Sequence, residues 1–116
     1  MEQAPYALFK KGTELLEAGY PAQAAILLER VKVHYQRKGS VREALGRAYF
    51  NCRRFLKAKE EFEASIDIDP TNHYAHYGLG LSSFKLGEKN VAVKHLKIAI
   101  ALDEDEKYRE ALSFLE

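Results

Sequence analysis

Residues 39–72 read GSVREALGRAYFNCRRFLKAKEEFEASIDIDPTN, and the placing of small residues in this segment decides the fold. Gly46 and Ala58 each recur at a step of 34 residues along the chain. The two series are Gly12, Gly46 and Gly80, and Ala24, Ala58 and Ala92. A period of this length is typical of a helix-turn-helix array, in which each unit buries its apolar face only by stacking on the next.

The period divides the chain into three units and a remainder. The units are residues 5–38, 39–72 and 73–106, and a terminal helix is predicted over residues 107–116. Each unit is predicted to hold two helices, because two apolar stretches of helical spacing in each are separated by a short turn. Nothing in the pattern predicts a strand, and the short connectors leave no room for a linker. We therefore expect one domain.

Local signals place several helix ends. Ser40 and Glu43 have the spacing of a capping box, which predicts a helix start at the second unit. Thr71 or Asn72 is expected to cap the third unit, and Gly87 predicts the end of its first helix.

Bulk composition excludes several classes of protein. The 116 residues carry 18 basic and 17 acidic side chains, so the formal charge of +1 gives no general attraction to nucleic acid or to an anionic membrane. Cys52 is the single cysteine, which excludes a disulfide within the chain. The residues after Met1 lack a basic and then apolar pattern, so no leader is expected, and no apolar run reaches the roughly 18 residues of a membrane span. We expect a cytoplasmic protein without membrane or nucleic-acid partners.

The chain resembles a tetratricopeptide repeat protein over essentially its whole length. The second unit carries the family's signature residues at Leu45, Gly46, Tyr49, Ala58, Phe62, Ser65 and Pro70. The third unit has Glu104 where proline is usual, and the first has Lys11 and Gln36 where leucine and proline are usual. The resemblance implies an all-α fold, a right-handed α-solenoid of three helix-turn-helix repeats with a C-terminal capping helix.

In proteins of this family the first helix of each unit lines a concave groove. The matching positions proposed as a peptide-binding groove are Tyr6, Phe9, Thr13, Arg47, Phe50, Asn51, Tyr74, Tyr77, Leu81, Phe84, Lys85 and Tyr108. Any one of these rings could instead pack between helices, which is the usual fate of a large aromatic side chain. As a set they resemble a binding hot spot, because aromatic residues and arginine dominate such sites. The predicted ligand is a protein or peptide with apolar or aromatic anchors and an acidic group for Arg47 or Lys85.

One branch of the family clamps the terminal carboxylate of heat-shock chaperones with lysine, asparagine and arginine. The corresponding positions here are Phe9, Thr13, Ala44, Tyr74 and Gly78, and none of them can hold a carboxylate by charge. A co-chaperone role of that type is therefore not expected.

Other candidate sites favour structural interpretations. His73 and His76 have ligand-compatible spacing, but no third ligand accompanies them, so no metal or cofactor is predicted. Cys52 lacks a neighbouring base and is expected to be inert. The mixed charges of residues 57–63 predict a solvated helix face.

Phe114 stands where the full units carry Gly12, Gly46 and Gly80, while Tyr108, Ala111, Leu112 and Leu115 form the terminal helix's apolar stripe. We expect Phe114 to be an exposed edge that mediates self-association. The sequence thus predicts a non-enzymatic binding adaptor, because no catalytic constellation can be assembled. The alternative is a homo-oligomerisation module.

Overall fold

The computed structural model describes residues 4–116, and in this range it contains seven helices and no strand. The helices are α1 (Pro5–Glu17), α2 (Pro21–His34), α3 (Gly39–Asn51), α4 (Phe55–Ile68), α5 (His73–Lys85), α6 (Lys89–Leu102) and α7 (Glu106–Leu115). The predicted all-α repeat architecture is confirmed. None of these helices combines the length and the apolar character needed to cross a membrane.

The helices form three hairpins that stack in chain order. α1 packs on α2, α3 on α4 and α5 on α6, and each hairpin then contacts the next through α2 with α3 and α4 with α5. α7 packs on α6 and closes the end of the array. The result is an elongated body of 51 × 24 × 22 Å, in which α1 and α7 lie at opposite ends.

One glycine contact closes each hairpin. A methyl group added at Gly46 would lie 2.7 Å from the Phe62 ring, and one added at Gly12 or Gly80 would lie 2.9 Å from Leu28 or Leu96, respectively. Such distances are shorter than van der Waals contact, so these positions need the absence of a side chain. The 34-residue series of glycines therefore records the closest approach of the paired helices.

The Phe62 ring also packs against a second glycine, Gly78. A Cβ atom at Gly78 of α5 would overlap the same ring. Phe62 is only 2% exposed, and it lies between Gly46 of its own hairpin and Gly78 of the next. This ring therefore joins the second hairpin to the third.

The turn inside each hairpin needs a left-handed backbone. Gly19 and Gly87 have φ angles of 89° and 82°. Arg53 occupies the corresponding position of the second hairpin, with a φ of 65°. A side chain in this region is strained because its Cβ approaches the following carbonyl oxygen.

Two of the predicted helix caps differ in outcome. The Asn72 side chain accepts a hydrogen bond from the Ala75 amide at 3.0 Å, which confirms it as the cap of α5. The predicted capping box of Ser40 and Glu43 is wrong. Because Gly39 already belongs to α3, Lys38 is the capping residue, and it makes no side-chain cap bond.

The predicted solvated face over residues 57–63 is also wrong in part, because Glu61 is buried. Its carboxylate accepts hydrogen bonds from Lys32 Nζ at 2.9 Å and from Arg42 Nη1 at 3.0 Å. The same lysine contacts Glu29, which also accepts a bond from the Tyr49 hydroxyl at 2.9 Å. This ion network lies at the junction of the first two hairpins and leaves the Glu61 charge fully paired.

In this network, hydrogen bonds and ion pairs outweigh burial in setting the pKa values of Glu29 and Lys32. Burial by itself would raise the pKa of Glu29, but the bonds from Lys32 and Tyr49 outweigh it and lower the pKa. Burial alone would lower the pKa of Lys32, and its bonds to Glu61 and Glu29 raise it instead. Both groups therefore keep their charges in the folded protein.

Candidate functional site

The first helices of the hairpins form the inner layer of the array. α1 contacts α3, and α3 contacts α5, in addition to the sequential contacts of the stack. Neighbouring first helices can touch only on the inner side of a curved stack. The face presented by α1, α3 and α5 is therefore the concave one.

Tyrosine rings run along this inner face, and we call Tyr74, Tyr77 and Tyr108 the aromatic ladder. The ring centroids of Tyr74 and Tyr77 are 5.8 Å apart, and those of Tyr77 and Tyr108 are 4.7 Å apart. The Arg47 guanidinium lies 5.9 Å from the Tyr74 centroid and donates a hydrogen bond to Glu17 at 3.1 Å. The ladder thus joins α5 to α7 through ring contacts, and Arg47 extends the connection to α3 and, through its bond to Glu17, to α1.

The ladder's members differ in access to solvent. Tyr74 and Tyr77 are half-buried and keep one part of each ring at the surface. Tyr108 is only 1% exposed, and its hydroxyl lies 2.7 Å from His73 Nδ1. The structure therefore places Tyr108 beneath the surface set, where it supports Tyr77 and cannot itself contact a ligand.

Burial raises the pKa values of the ladder tyrosines. The pKa is raised for Tyr74 and Tyr77, and it is raised to about 12 for Tyr108. All three hydroxyls therefore remain protonated at neutral pH. The ladder offers neutral rings and hydroxyl groups, which suit an apolar or aromatic ligand.

A second aromatic cluster lies at the other end of the first helices. Phe50 packs edge-on against Phe55 at 5.2 Å, and Lys85 Nζ lies 5.8 Å from the Phe55 ring. Phe84 is 37% exposed and contacts Phe114 at 6.1 Å. The inner face therefore has aromatic surface at both ends.

The remaining predicted positions are spread over the same helices. Tyr6 is 70% exposed, Phe9 and Leu81 are half-buried, and Asn51 is exposed. The Thr13 hydroxyl donates to the Lys10 carbonyl at 2.9 Å. The set therefore lies on the predicted helices, with Tyr108 as the member that has no exposed surface.

The structure also shows a pocket that the sequence analysis missed. This junction pocket, of about 200 Å³, lies where α1, α2 and α3 meet. Its lining consists of Tyr6, Phe9, Val31, Tyr35, Lys38, Ser40 and Val41. Tyr35 and Lys38 come from the connector between the first two units. In the sequence this connector differs only in composition, because the equivalent connectors carry Asp69 with Asn72, and Asp103 with Glu106, in place of Tyr35 and Lys38.

The histidines make structural contacts. His76 is buried, and its Nε2 lies 2.9 Å from the Pro70 carbonyl oxygen, which can only accept a hydrogen bond. His76 Nδ1 lies 3.0 Å from His95 Nδ1, and in the neutral His76 tautomer that donates to Pro70 it accepts the His95 proton. Within residues 4–116 no group of three or more histidine, cysteine or acidic side chains is placed to hold a metal ion.

Comparison with known proteins agrees with this architecture. The sequence model of the tetratricopeptide repeat family matches residues 39–72, which coincide with the second unit. The chain contains a tetratricopeptide repeat and has the fold of this family. No curated protein matches the chain by sequence.

Solved tetratricopeptide repeat domains superpose closely on the chain. The first such domain of Spaghetti (RPAP3), bound to the HSP90 peptide SRMEEVD, has a TM-score of 0.91 at 16% identity, covering 96% of this chain and 89% of that one. The Arabidopsis OM64 domain has a TM-score of 0.93 at 15% identity, covering 97% and 93%. The second domain of human RPAP3, in complex with the HSP70 peptide SGPTIEEVD, has a TM-score of 0.88 at 16% identity, covering 97% and 98%.

Proposed function

We propose that the protein is a non-enzymatic adaptor that binds a protein or peptide on the inner face of its first helices. The observation that carries this proposal is the aromatic ladder, whose Tyr74 and Tyr77 remain partly exposed on the concave side. Similar repeat domains are solved with bound chaperone peptides, which supports a peptide ligand for this fold. The repeat fold is also typical of interaction domains without catalysis.

The ligand proposed here differs from the acidic peptides of those neighbours. The clamp positions hold Phe9, Thr13, Ala44, Tyr74 and Gly78. At Gly78 a side chain would collide with Phe62, so no clamp residue fits there. Arg47 is already bonded to Glu17. The chemistry of the face therefore favours a peptide anchored by apolar or aromatic side chains.

Phage display of random peptides, followed by titration calorimetry, tests this proposal. We expect the selected peptides to be rich in aromatic and aliphatic residues, and the acidic peptide SRMEEVD not to bind. Tyr77→Ala should weaken binding by about 1–2 kcal/mol through lost apolar contact. Lys85→Ala, at an exposed position, should cost less and mainly change the salt dependence.

Two further variants separate binding from stability. Phe84→Ala removes a ring that is more exposed than Tyr77, so it should disturb the fold less. If Tyr77→Ala weakens binding because a ligand contact is lost, Phe84→Ala should weaken binding as well. Lys59 is unsuitable as a control, because it is half-buried and bonds Glu88 at 2.7 Å. Glu60 on the outward side of α4 is exposed, so Glu60→Ala is the control. Loss of affinity in Glu60→Ala with none in Tyr77→Ala would place the binding surface on the convex side.

A homo-oligomerisation module is the second candidate function, and Phe114 favours it. Its side chain is 80% exposed on α7, the largest exposed fraction among the large hydrophobic residues in the described part of the chain.

A further inference from the structure

Phe114 projects from the end of the array as an apolar knob. α7 buries Tyr108 and Leu115 against the preceding hairpin, whereas Phe114 keeps 80% of its surface exposed. Its contact with Phe84 is edge-on, at 6.1 Å between centroids. An exposed ring of this kind gains by entering an apolar pocket, because burial removes its surface from water.

The junction pocket at the opposite end has the size and lining for one such ring. Its volume of about 200 Å³ falls below the ~300–1,000 Å³ typical of small-molecule sites. Phe9 and the exposed rings of Tyr6 and Tyr35 supply its accessible apolar surface, and the buried side chains of Val31 and Val41 lie beneath them. The pocket is thus matched to one large side chain.

The first unit and the terminal segment carry opposite net charge. Residues 5–38, which supply most of the pocket, contain six basic and three acidic side chains. Residues 103–116, which carry Phe114, contain six acidic and two basic side chains. Lys38 lines the pocket itself, while Glu110 and Glu116 are near Phe114 in sequence. Opposite potentials of this kind steer the two surfaces together and fix their orientation.

We propose that Phe114 of one copy inserts into the junction pocket of a second copy, which gives head-to-tail self-association. The contact must form between copies, because the pocket and the knob lie at opposite ends of a body 51 Å long. The contact is heterologous, so each associated copy still offers one free pocket or one free knob. Such contacts build open chains unless the rotation closes a ring.

Sedimentation velocity over a range of protein concentrations tests the proposal. The wild type should show a sedimentation coefficient that rises with concentration, and the rise should diminish at high salt. Phe114→Glu removes the knob, and Tyr6→Glu disrupts the pocket edge. Both positions are exposed, and an acidic residue in the first turn of α1 is favourable, so both variants should fold. Each variant alone should remain monomeric.

An equimolar mixture of the two variants distinguishes this contact from a symmetric one. Phe114→Glu retains its pocket and Tyr6→Glu retains its knob, so the mixture should form a 1:1 dimer and nothing larger. If the knobs instead paired with each other, Tyr6→Glu would associate like the wild type and the mixture would contain no heterodimer, which would overturn the proposal.

Tyr20→Glu is the matched control, because Tyr20 is 52% exposed and lies beyond the opposite end of α1. It should associate like the wild type. A wild type that stays monomeric at every concentration would refute the proposal, and so would equal loss of association in Tyr20→Glu. Peptide binding is measured separately through Tyr77, which does not line the pocket, so either proposal can fail alone.

Discussion

Among residues 4–116, Arg53 is the one non-glycine residue with a positive φ angle. It stands 34 positions from both Gly19 and Gly87, and all three have positive φ angles. Arg53→Gly should relieve the strain of the left-handed backbone. The greater conformational freedom of glycine in the unfolded chain should offset part of this stabilisation. We expect a gain of about 0.5–1 kcal/mol in the free energy of unfolding, measured by urea denaturation.

The reverse substitution provides the comparison for Arg53. Gly87→Ala introduces a side chain at a φ of 82°, where nothing crowds the added methyl, so its cost should come from the backbone alone. Stability should fall in Gly87→Ala and rise in Arg53→Gly. A loss of stability in Arg53→Gly would mean that the contact of its guanidinium with Phe55, at 5.5 Å, outweighs the strain.

Sequence reasoning at this scale succeeds for residues whose role is periodic. The glycine series predicts where helices approach, since three units repeat one contact at Gly12, Gly46 and Gly80. It fails for Glu61, because Lys32 and Arg42 reach this carboxylate from separate helices. A mixed-charge helix face looks solvated in the sequence, and Glu61 alone of its charged residues is buried, where α2 and α3 bring Lys32 and Arg42 to it.

The pairing of helices within a hairpin depends on the missing side chain at Gly46. Gly46→Leu would drive a branched side chain into the Phe62 ring, which lies 2.7 Å from the position of the first added carbon. Leucine favours the helix by roughly 0.8 kcal/mol, but overpacking should cost about 1–3 kcal/mol. The melting temperature of the variant should therefore fall.

Gly39 serves as the matched glycine for that experiment. A methyl group there would lie 3.8 Å from Ile68, which is an ordinary contact, at the start of the same helix. Gly39→Ala should leave the melting temperature level or raise it slightly. An equal fall in both variants, or a rise in Gly46→Leu, would contradict the close-approach explanation.

The pairing of α5 with α6 should depend on pH through His95. Burial, followed by the neighbouring His76 and Lys94, lowers the pKa of His95 from 6.5 to about 4. Glu63 and Asp67 of α4 line the same cleft and favour the protonated form. Because the unfolded chain binds this proton at higher pH than the folded protein, stability should be full above about pH 6.5 and fall towards pH 4.

The expected loss is on the order of 1–3 kcal/mol, reduced from the full linkage value because His95 is half-buried. Urea denaturation of wild type and His95→Gln at pH 7, 5.5 and 4.5 measures it, and the variant should show a flatter profile in this window. His34 is exposed, so His34→Gln should retain the wild-type profile. Identical profiles for wild type and His95→Gln would exclude His95 as the cause.

Over the whole molecule, the sequence predicts the number and order of helices because each unit repeats the same packing of two helices. The face proposed for the candidate site follows from helical spacing, since Tyr74 and Tyr77 lie three residues apart on α5. The sequence could not predict the junction pocket, because Tyr35 and Lys38 lie in a connector whose path is set by two neighbouring hairpins. Tyr108 differs from the predicted groove position because its ring turns inward against His73 and Tyr77 of α5.

The position of Phe62 between Gly46 and Gly78 has a consequence for how the array loses its structure. In many repeat arrays the intrinsic stability of a unit and its coupling to a neighbour are separate quantities, so end units fray independently. Here the Phe62 ring contributes both to the stability of the second hairpin and to its coupling with the third. If the second hairpin opens, the third loses its contact with Phe62, and if the third detaches, a cavity is left beside the ring. Hydrogen exchange under native conditions should therefore show α3, α4 and α5 exchanging as one cooperative unit.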